Sequence, residues 1–389
     1  MLRPHVALTR TWGNVSVGVG ASQLWMPSGL VHSTQPFVTI AWASDVLLGP
    51  PGGDAPPADV GLAVSAMPTE TEVAVGRYLM RALPVPSSGN AAAAELRYGG
   101  LVFRRALAGS LFGAQPYWLM SAAGSLTQAY TGYAELMGGI GAKYPLPFVP
   151  AISLRIEGAI GSGGAGSALD TGGGLLRKMS AGVSWRIGPQ LTLAASAGRI
   201  ASRGAFDASE IQSELGLQGW DVVPGETRTI GPAPATLSWT PWSLSTGMNL
   251  YARAPREVGG EPGLGTTVLK IERAIDRNWR LVGQASIGVS GNAGGFATGQ
   301  FGLGWLTAPV ANAGWQFGAE ATVGAAGGGM VRVGGGVIGQ AQMQARYALS
   351  PEWALQADAG WLRSKQGTLA SPFVGLSAVY SFSRLQGKS

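Results

Sequence analysis

Stretches of about ten residues that alternate apolar and polar side chains recur along this chain, separated by turn chemistry. WALQADAGW (353–361) puts Trp353, Leu355, Ala357, Ala359 and Trp361 on one face and Gln356, Asp358 and Gly360 on the other. WQFGAEATV (315–323), AQMQARYAL (341–349), WRLVGQASIGV (279–289), MSAGVSWRI (179–187) and ISLRIEGAI (152–160) repeat the pattern. A period of two is the signature of a strand with chemically different faces. Helical spacing is poor because Gly interrupts nearly every window, and ASEIQSELG (208–216) is the one segment that suggests a short helix.

Alternation alone does not say which face meets water. The charge content does. Only 12% of the 389 residues are charged and mean hydropathy is +0.18, against about 25% charged in ordinary soluble domains. A soluble sandwich would carry far more charge on its polar faces. The chain also lacks an apolar run long enough for a membrane-spanning helix, which needs about 20 residues. Tilted spanning strands need only about ten. The greasy face of 353–361 is therefore expected to see lipid, with Gln356 and Asp358 facing a wet lumen. On that reading an added cation should be tolerated at position 356 and not at 357.

The connections point the same way. GPQ (188–190), DRN (276–278) and SPE (350–352) are short. GPPGGDAPPAD (49–59), PVPSSGN (84–90), GSGGAGSALDTGGG (161–174), residues 203–228, EVGGEPGLG (257–265) and AAGGGMVRVGGG (325–336) are long and mostly rich in Gly, Pro or Ser. From residue 177 onward short and long alternate, as periplasmic turns and outside loops do in outer-membrane barrels. The expectation is an all-β fold: one antiparallel transmembrane β-barrel over residues 1–383, with 384–389 as a short tail. The strand number falls between sixteen and twenty, centred on eighteen, eight to ten of them in the less regular first half. The expected location is the bacterial outer membrane.

FVGLSAVYSF (373–382) resembles the C-terminal assembly signal of bacterial outer-membrane proteins, with Tyr380 and Phe382 alternating near the chain end. It departs from that signal because SRLQGKS follows Phe382. VSVGVGASQLWMPSGLVHSTQPFVTIAW (15–42), strand, Pro-Ser-Gly turn and strand, resembles the barrel of exopolysaccharide exporters, the cellulose synthase C-subunit type, and of related phage-adsorption proteins. That resemblance covers about a tenth of the chain. It implies a polymer conduit, a periplasmic helical-repeat region ahead of the barrel, and no catalytic residue.

Enzyme chemistry has little to work with. The chain has no Cys and two His, His5 in the first strand and His32 in a turn setting. Neither sits in a nucleophile–base arrangement, and no residues have metal-ligand spacing. Residues 161–174 are glycine-rich but lack the Lys and following helix of a phosphate loop. No cofactor is expected. A net charge of +6 favours anionic partners such as lipid head groups or acidic solutes, while nothing resembles a nucleic-acid-binding pattern. Strand phase nominates Arg155, Glu157, Arg186, Arg253, Lys270, Glu272, Arg280, Glu320, Arg346 and Asp358 as pore-lining. Basic residues lead in that set, which predicts a mildly anion-selective lumen. The expected function is a channel for hydrophilic solutes or a polysaccharide, with an anchor or receptor barrel of little conductance as the alternative.

Overall fold

A computed structural model describes residues 3–388 except 14, 26–31, 44–46, 53–63, 82–93, 165–168, 225–235 and 311–313. Among the described residues twenty strands form: β1 (His5–Trp12), β2 (Val15–Trp25), β3 (His32–Trp42), β4 (Leu48–Gly49), β5 (Val64–Met80), β6 (Glu95–Ala106), β7 (Gln115–Ser125), β8 (Ala134–Leu146), β9 (Val149–Gly164) and β10 (Leu175–Arg186). They continue as β11 (Leu191–Ser202), β12 (Asp207–Pro224), β13 (Thr236–Tyr251), β14 (Leu264–Ala274), β15 (Trp279–Ser290), β16 (Ala297–Leu306), β17 (Trp315–Gly327), β18 (Val337–Ala348), β19 (Trp353–Ser364) and β20 (Ala370–Lys388). Helix among the described residues is a single turn at Gln128–Tyr130. The all-β antiparallel barrel stands, with a strand total at the top of the expected range.

Seventeen strands, β4 to β20, belong to one closed antiparallel sheet, with β12–β5, β13–β20 and β12–β20 as further pairings. The registers show how it closes. β12 pairs along its length with β5, from Ala208↔Met80 to Pro224↔Val64. β13 pairs with β20, from Thr236↔Lys388 to Tyr251↔Phe373. The sheet therefore closes twice: β5–β12 make one eight-stranded circuit and β13–β20 a second. The far end of β20 continues onto β12 through Trp220↔Gly387 and Asp221↔Gln386, and onto β4 through Ser383 and Arg384. Residues 384–388 are thus strand, not tail. β1–β2–β3 form a separate three-stranded sheet with Val6, Leu8, Val38 and Ile40 exposed on one face.

Four expectations give way here. The suggested helix at 208–216 is the start of β12, because Ala208, Glu210, Gln212 and Glu214 point inward while Ser209, Ile211, Ser213 and Leu215 point outward. That is a period of two, and the i, i+3 match was coincidental. The supposed outside loop 203–228 shrinks to a turn at 203–206, and 225–228 lie outside the described residues. Loop length is accordingly less cleanly sorted by end than the sequence suggested. His32 does not sit in a turn: it opens β3, opposite Trp25.

Polarity is inside out. Leu154, Ile156, Met179, Ile211, Leu215, Leu269, Ile287, Phe317, Val323, Met343, Val374 and Leu376 are all exposed on the outer faces. At the ends of the second barrel joined by turns 275–278 and 349–352, Trp279, Trp305, Trp315, Tyr347, Trp353 and Tyr380 line up on neighbouring strands. Ring centroids lie 5.0 Å apart for Trp315–Tyr347 and 5.1 Å for Trp353–Tyr380. That is an interfacial aromatic girdle.

Candidate functional site: the two barrel interiors

Eight strands enclose a space that side chains can fill, and here they fill it. In the first barrel the loop end is stopped by Tyr78, Leu96, Tyr98, Tyr130, Tyr133, Met137, Leu176, Ile200 and Phe206, all buried. Tyr78 and Tyr98 stack at 4.5 Å. Gly76 makes room for Tyr98: a Cβ there would lie 2.5 Å from the phenol oxygen. Beneath the plug, Tyr78 Oη donates to Glu135 (2.8 Å) and Tyr98 Oη to Gln212 (2.7 Å). Lys178 reaches Glu210 at 2.5 Å.

At mid-barrel Arg104 is the hub. Its Nε donates to Glu157 (2.6 Å), one terminal nitrogen to Glu214 (3.0 Å) and the other to Glu72. Arg155 joins from β9, to Glu214 at 2.5 Å and Glu72 at 3.4 Å. Tyr117 donates to Glu157 at 2.8 Å. Lys143 pairs with Glu70 nearer the turn end. Inward acids (Glu70, Glu72, Glu135, Glu157, Glu210, Glu214) outnumber inward bases (Arg104, Lys143, Arg155, Lys178) by six to four.

The second barrel repeats the plan with other residues. Tyr251, Leu264, Phe296, Val331, Val333, Ile338, Leu362 and Phe373 plug its loop end. Below them Lys270 Nζ meets Glu320 at 3.0 Å, and Arg346 donates to Glu272 (2.8 Å) and Gln356 (2.7 Å). Ser243 donates to Glu272 at 2.6 Å, and Gln356 and Gln342 donate to Asp358.

Of the nominated pore-lining residues, Arg155, Glu157, Lys270, Glu272, Glu320, Arg346 and Asp358 do point inward, and Arg280 stands half-buried at the turn-end mouth. Arg186 has the inward phase but ends β10 and is exposed at its mouth. Arg253 is not on a strand: it follows β13 in the loop-end connection, where its Nε donates to the Ala370 carbonyl at 3.0 Å. The residues that sequence reading missed, Glu70, Glu72, Arg104, Glu135, Lys143, Lys178, Glu210 and Glu214, lie mainly on β5, β6, β8 and β12, in segments without a clear alternation in the sequence. Their inclusion reverses the expected basic excess in the first barrel.

Among the described residues, the mid-barrel side chains pack against one another rather than around an open passage. Arg104 and Arg155 are 2–3% exposed, Glu72 and Gln356 0%, Lys270 3%. One cavity beside Arg104 and Lys178 measures about 20 Å³ and another beside Lys270 and Asp358 about 10 Å³, room for about one water each.

The barrels touch at both ends. At the turn end Asp221 lies 2.9 Å from Arg105 and also pairs with Arg384, which brings β6, β12 and β20 together. Arg105 and Asp221 point outward from the first barrel yet are buried. At the loop end Thr131 donates to the Gly334 carbonyl. Outside the sheet, in the turn after β14, the Asp276 carboxylate accepts from the backbone N–H of Trp279 and of Asn278, both at 2.8 Å, which holds its carboxyl below the usual range.

A closed antiparallel sheet with an apolar exterior, an aromatic girdle and a polar interior is a transmembrane β-barrel of the bacterial outer-membrane type. No protein-family model and no curated protein sequence matches the chain. Among solved structures, a de novo designed transmembrane β-barrel aligns at 15% identity, covering 38% of this chain and 98% of its own, with a TM-score of 0.25. Neisserial surface protein A aligns at 11% identity, 40% of this chain and 99% of its own, TM-score 0.25. The outer membrane channel DcaP of Acinetobacter baumannii aligns at 10% identity, 98% of this chain and 84% of its own, TM-score 0.24.

Proposed function

We propose that this chain is an outer-membrane barrel with closed interiors, an anchor or receptor that passes little current and presents its loop end to the outside. The observation that carries the reading is the cross-barrel ion network. Arg104, Arg155, Glu72 and Glu214 meet across the first interior while almost wholly buried, where a diffusion pore would keep them wet. Planar-bilayer recording tests it: the purified chain should add no steady conductance at moderate voltage. Stable open channels would overturn it.

A second reading, a gated channel, is favoured by one feature. The interiors below the plugs are lined by Glu, Arg, Lys and Gln rather than hydrocarbon, so water could enter if the Tyr78–Phe206 plug withdrew. Voltage- or ligand-dependent current would support that reading. A polysaccharide conduit, as the resemblance of residues 15–42 implies, requires wider opening still.

A further inference from the structure

Among the described residues, the aromatic girdle at the turn end of the second barrel has no counterpart at the loop end of the first. Arginine stands there instead. Arg97 on β6, Arg77 on β5, Arg199 on β11 and Arg177 on β10 all point outward and are exposed, on strands that adjoin through β12. Arg77 and Arg97 are direct cross-strand partners, and like charges so placed repel. Arg177 lies diagonal to Arg199, since Arg177 faces Ala201 and Met179 faces Arg199.

Neighbouring acids answer only part of this charge. Glu95 pairs with Arg97 at 2.9 Å and Asp207 with Arg199 at 2.6 Å. Asp170 accepts from the backbone N–H of Gly172 and Ala205. Neither Arg77 nor Arg177 forms an ion pair of its own among the described residues; Asp207, already bonded to Arg199, is the carboxylate within electrostatic reach of Arg177. With Arg81 and Arg203 on the same rim, six arginines face three carboxylates, a balance of +3. Ile211, Ile160 and Met179 sit directly across from Arg77, Arg177 and Arg199, and Val75 and Leu215 follow toward mid-barrel; all are exposed and apolar. A ligand with an anionic head over a hydrocarbon tail fits both levels at once.

We propose that this outward belt, centred on Arg77 and Arg177, is a binding site for phosphate-bearing lipid headgroups, whose acyl chains lie along the apolar strand faces beneath. The site rests on the membrane-barrel reading above and needs no particular function of the interiors.

The full chain in detergent is titrated with phosphatidic acid and followed by native mass spectrometry, with phosphatidylcholine as the uncharged-headgroup control. Arg77→Gln/Arg177→Gln should lower phosphatidic acid affinity roughly tenfold or more. Arg10→Gln/Arg277→Gln, which removes equal charge elsewhere, should not change it, and inorganic phosphate should fail to displace the lipid. Heat-modifiable gel migration shows that each variant still forms its barrels. Equal affinity in the two double variants, or displacement by inorganic phosphate, overturns the site. Protease access to residues 257–263 on intact cells reports orientation separately. Cleavage only after permeabilisation would invert the barrel and leave the lipid site intact.

Discussion

Replacing Arg104 by Met removes one positive charge from the middle of the first barrel and leaves its volume nearly unchanged. Three carboxylates, Glu72, Glu157 and Glu214, then face Arg155 alone. Taking one partner from a buried ion pair costs about 3–5 kcal/mol, because the remaining charge stays desolvated. An exposed pair is worth only ~0–1 kcal/mol; Arg199–Asp207, with side chains 53% and 32% exposed, is the internal comparison. Urea unfolding of the chain reconstituted in lipid vesicles, read by Trp fluorescence and by heat-modifiable migration, should show the large loss for Arg104→Met and little for Arg199→Gln. Adding Glu72→Gln and Glu157→Gln to Arg104→Met should recover much of the loss, since it leaves Glu214 as the one carboxylate of the three, paired with Arg155. Equal, small effects for Arg104→Met and Arg199→Gln would mean that water reaches the network and that the interior is not filled.

Ala357→Arg, on the lipid face opposite Leu376, should impair folding by roughly 2–4 kcal/mol if it lies near the bilayer midplane. Gln356→Arg should also be poorly tolerated, against the expectation from the sequence, because it meets the Arg346 guanidinium that Gln356 now accepts from; normal folding yields for it would point to a roomier lumen. Gly76→Ala forces a methyl against Tyr98 and the Ile211 carbonyl and should cost about 1–3 kcal/mol in the same unfolding assay. Asp276 is held below its unfolded value by two backbone donors, so its contribution is present above that unfolded value, about 3.9, and fades as pH falls through the folded one. Asp276→Ala should thus lower stability at neutral pH and lose its effect in acid, as pH-dependent melting can check. Epitope tags within 257–263 should be reachable on intact cells, and tags at 276–278 or 350–352 only after permeabilisation; surface labelling at Arg277 would reverse the orientation.

Sequence patterning made β15, β17, β18 and β19 legible to within a few residues, because WALQADAGW and its neighbours alternate without interruption. It failed at β12, where Glu210 and Glu214 match helical spacing as well as strand spacing until Gln212 is placed between them. Closure was not legible at all. Whether β12 turns back to β5 or passes on to β13 depends on pairing between strands some 140 positions apart in sequence, and alternation is the same in either case. The occlusion follows from that missed closure. Inward Arg and Glu on a wide sheet would line water, whereas on an eight-stranded circuit they meet across the axis.

The stitch between β20 and β12 also bears on the order of assembly. Along β20, residues 370–380 bond β19, 383–384 bond β4 and 386–387 bond β12, while its other edge closes the second barrel on β13. The first circuit contains no residue after 224 and can zip shut alone. The second cannot close until β20 arrives, and the join between the two waits on the same strand. Long-range pairing of this kind is slow to form. Loss of 385–388 should therefore leave two closed barrels without the strand pairing that joins them, held by side-chain contacts such as Asp221–Arg384 and Thr131–Gly334, which makes this short segment a backbone coupling between two separately formed bodies.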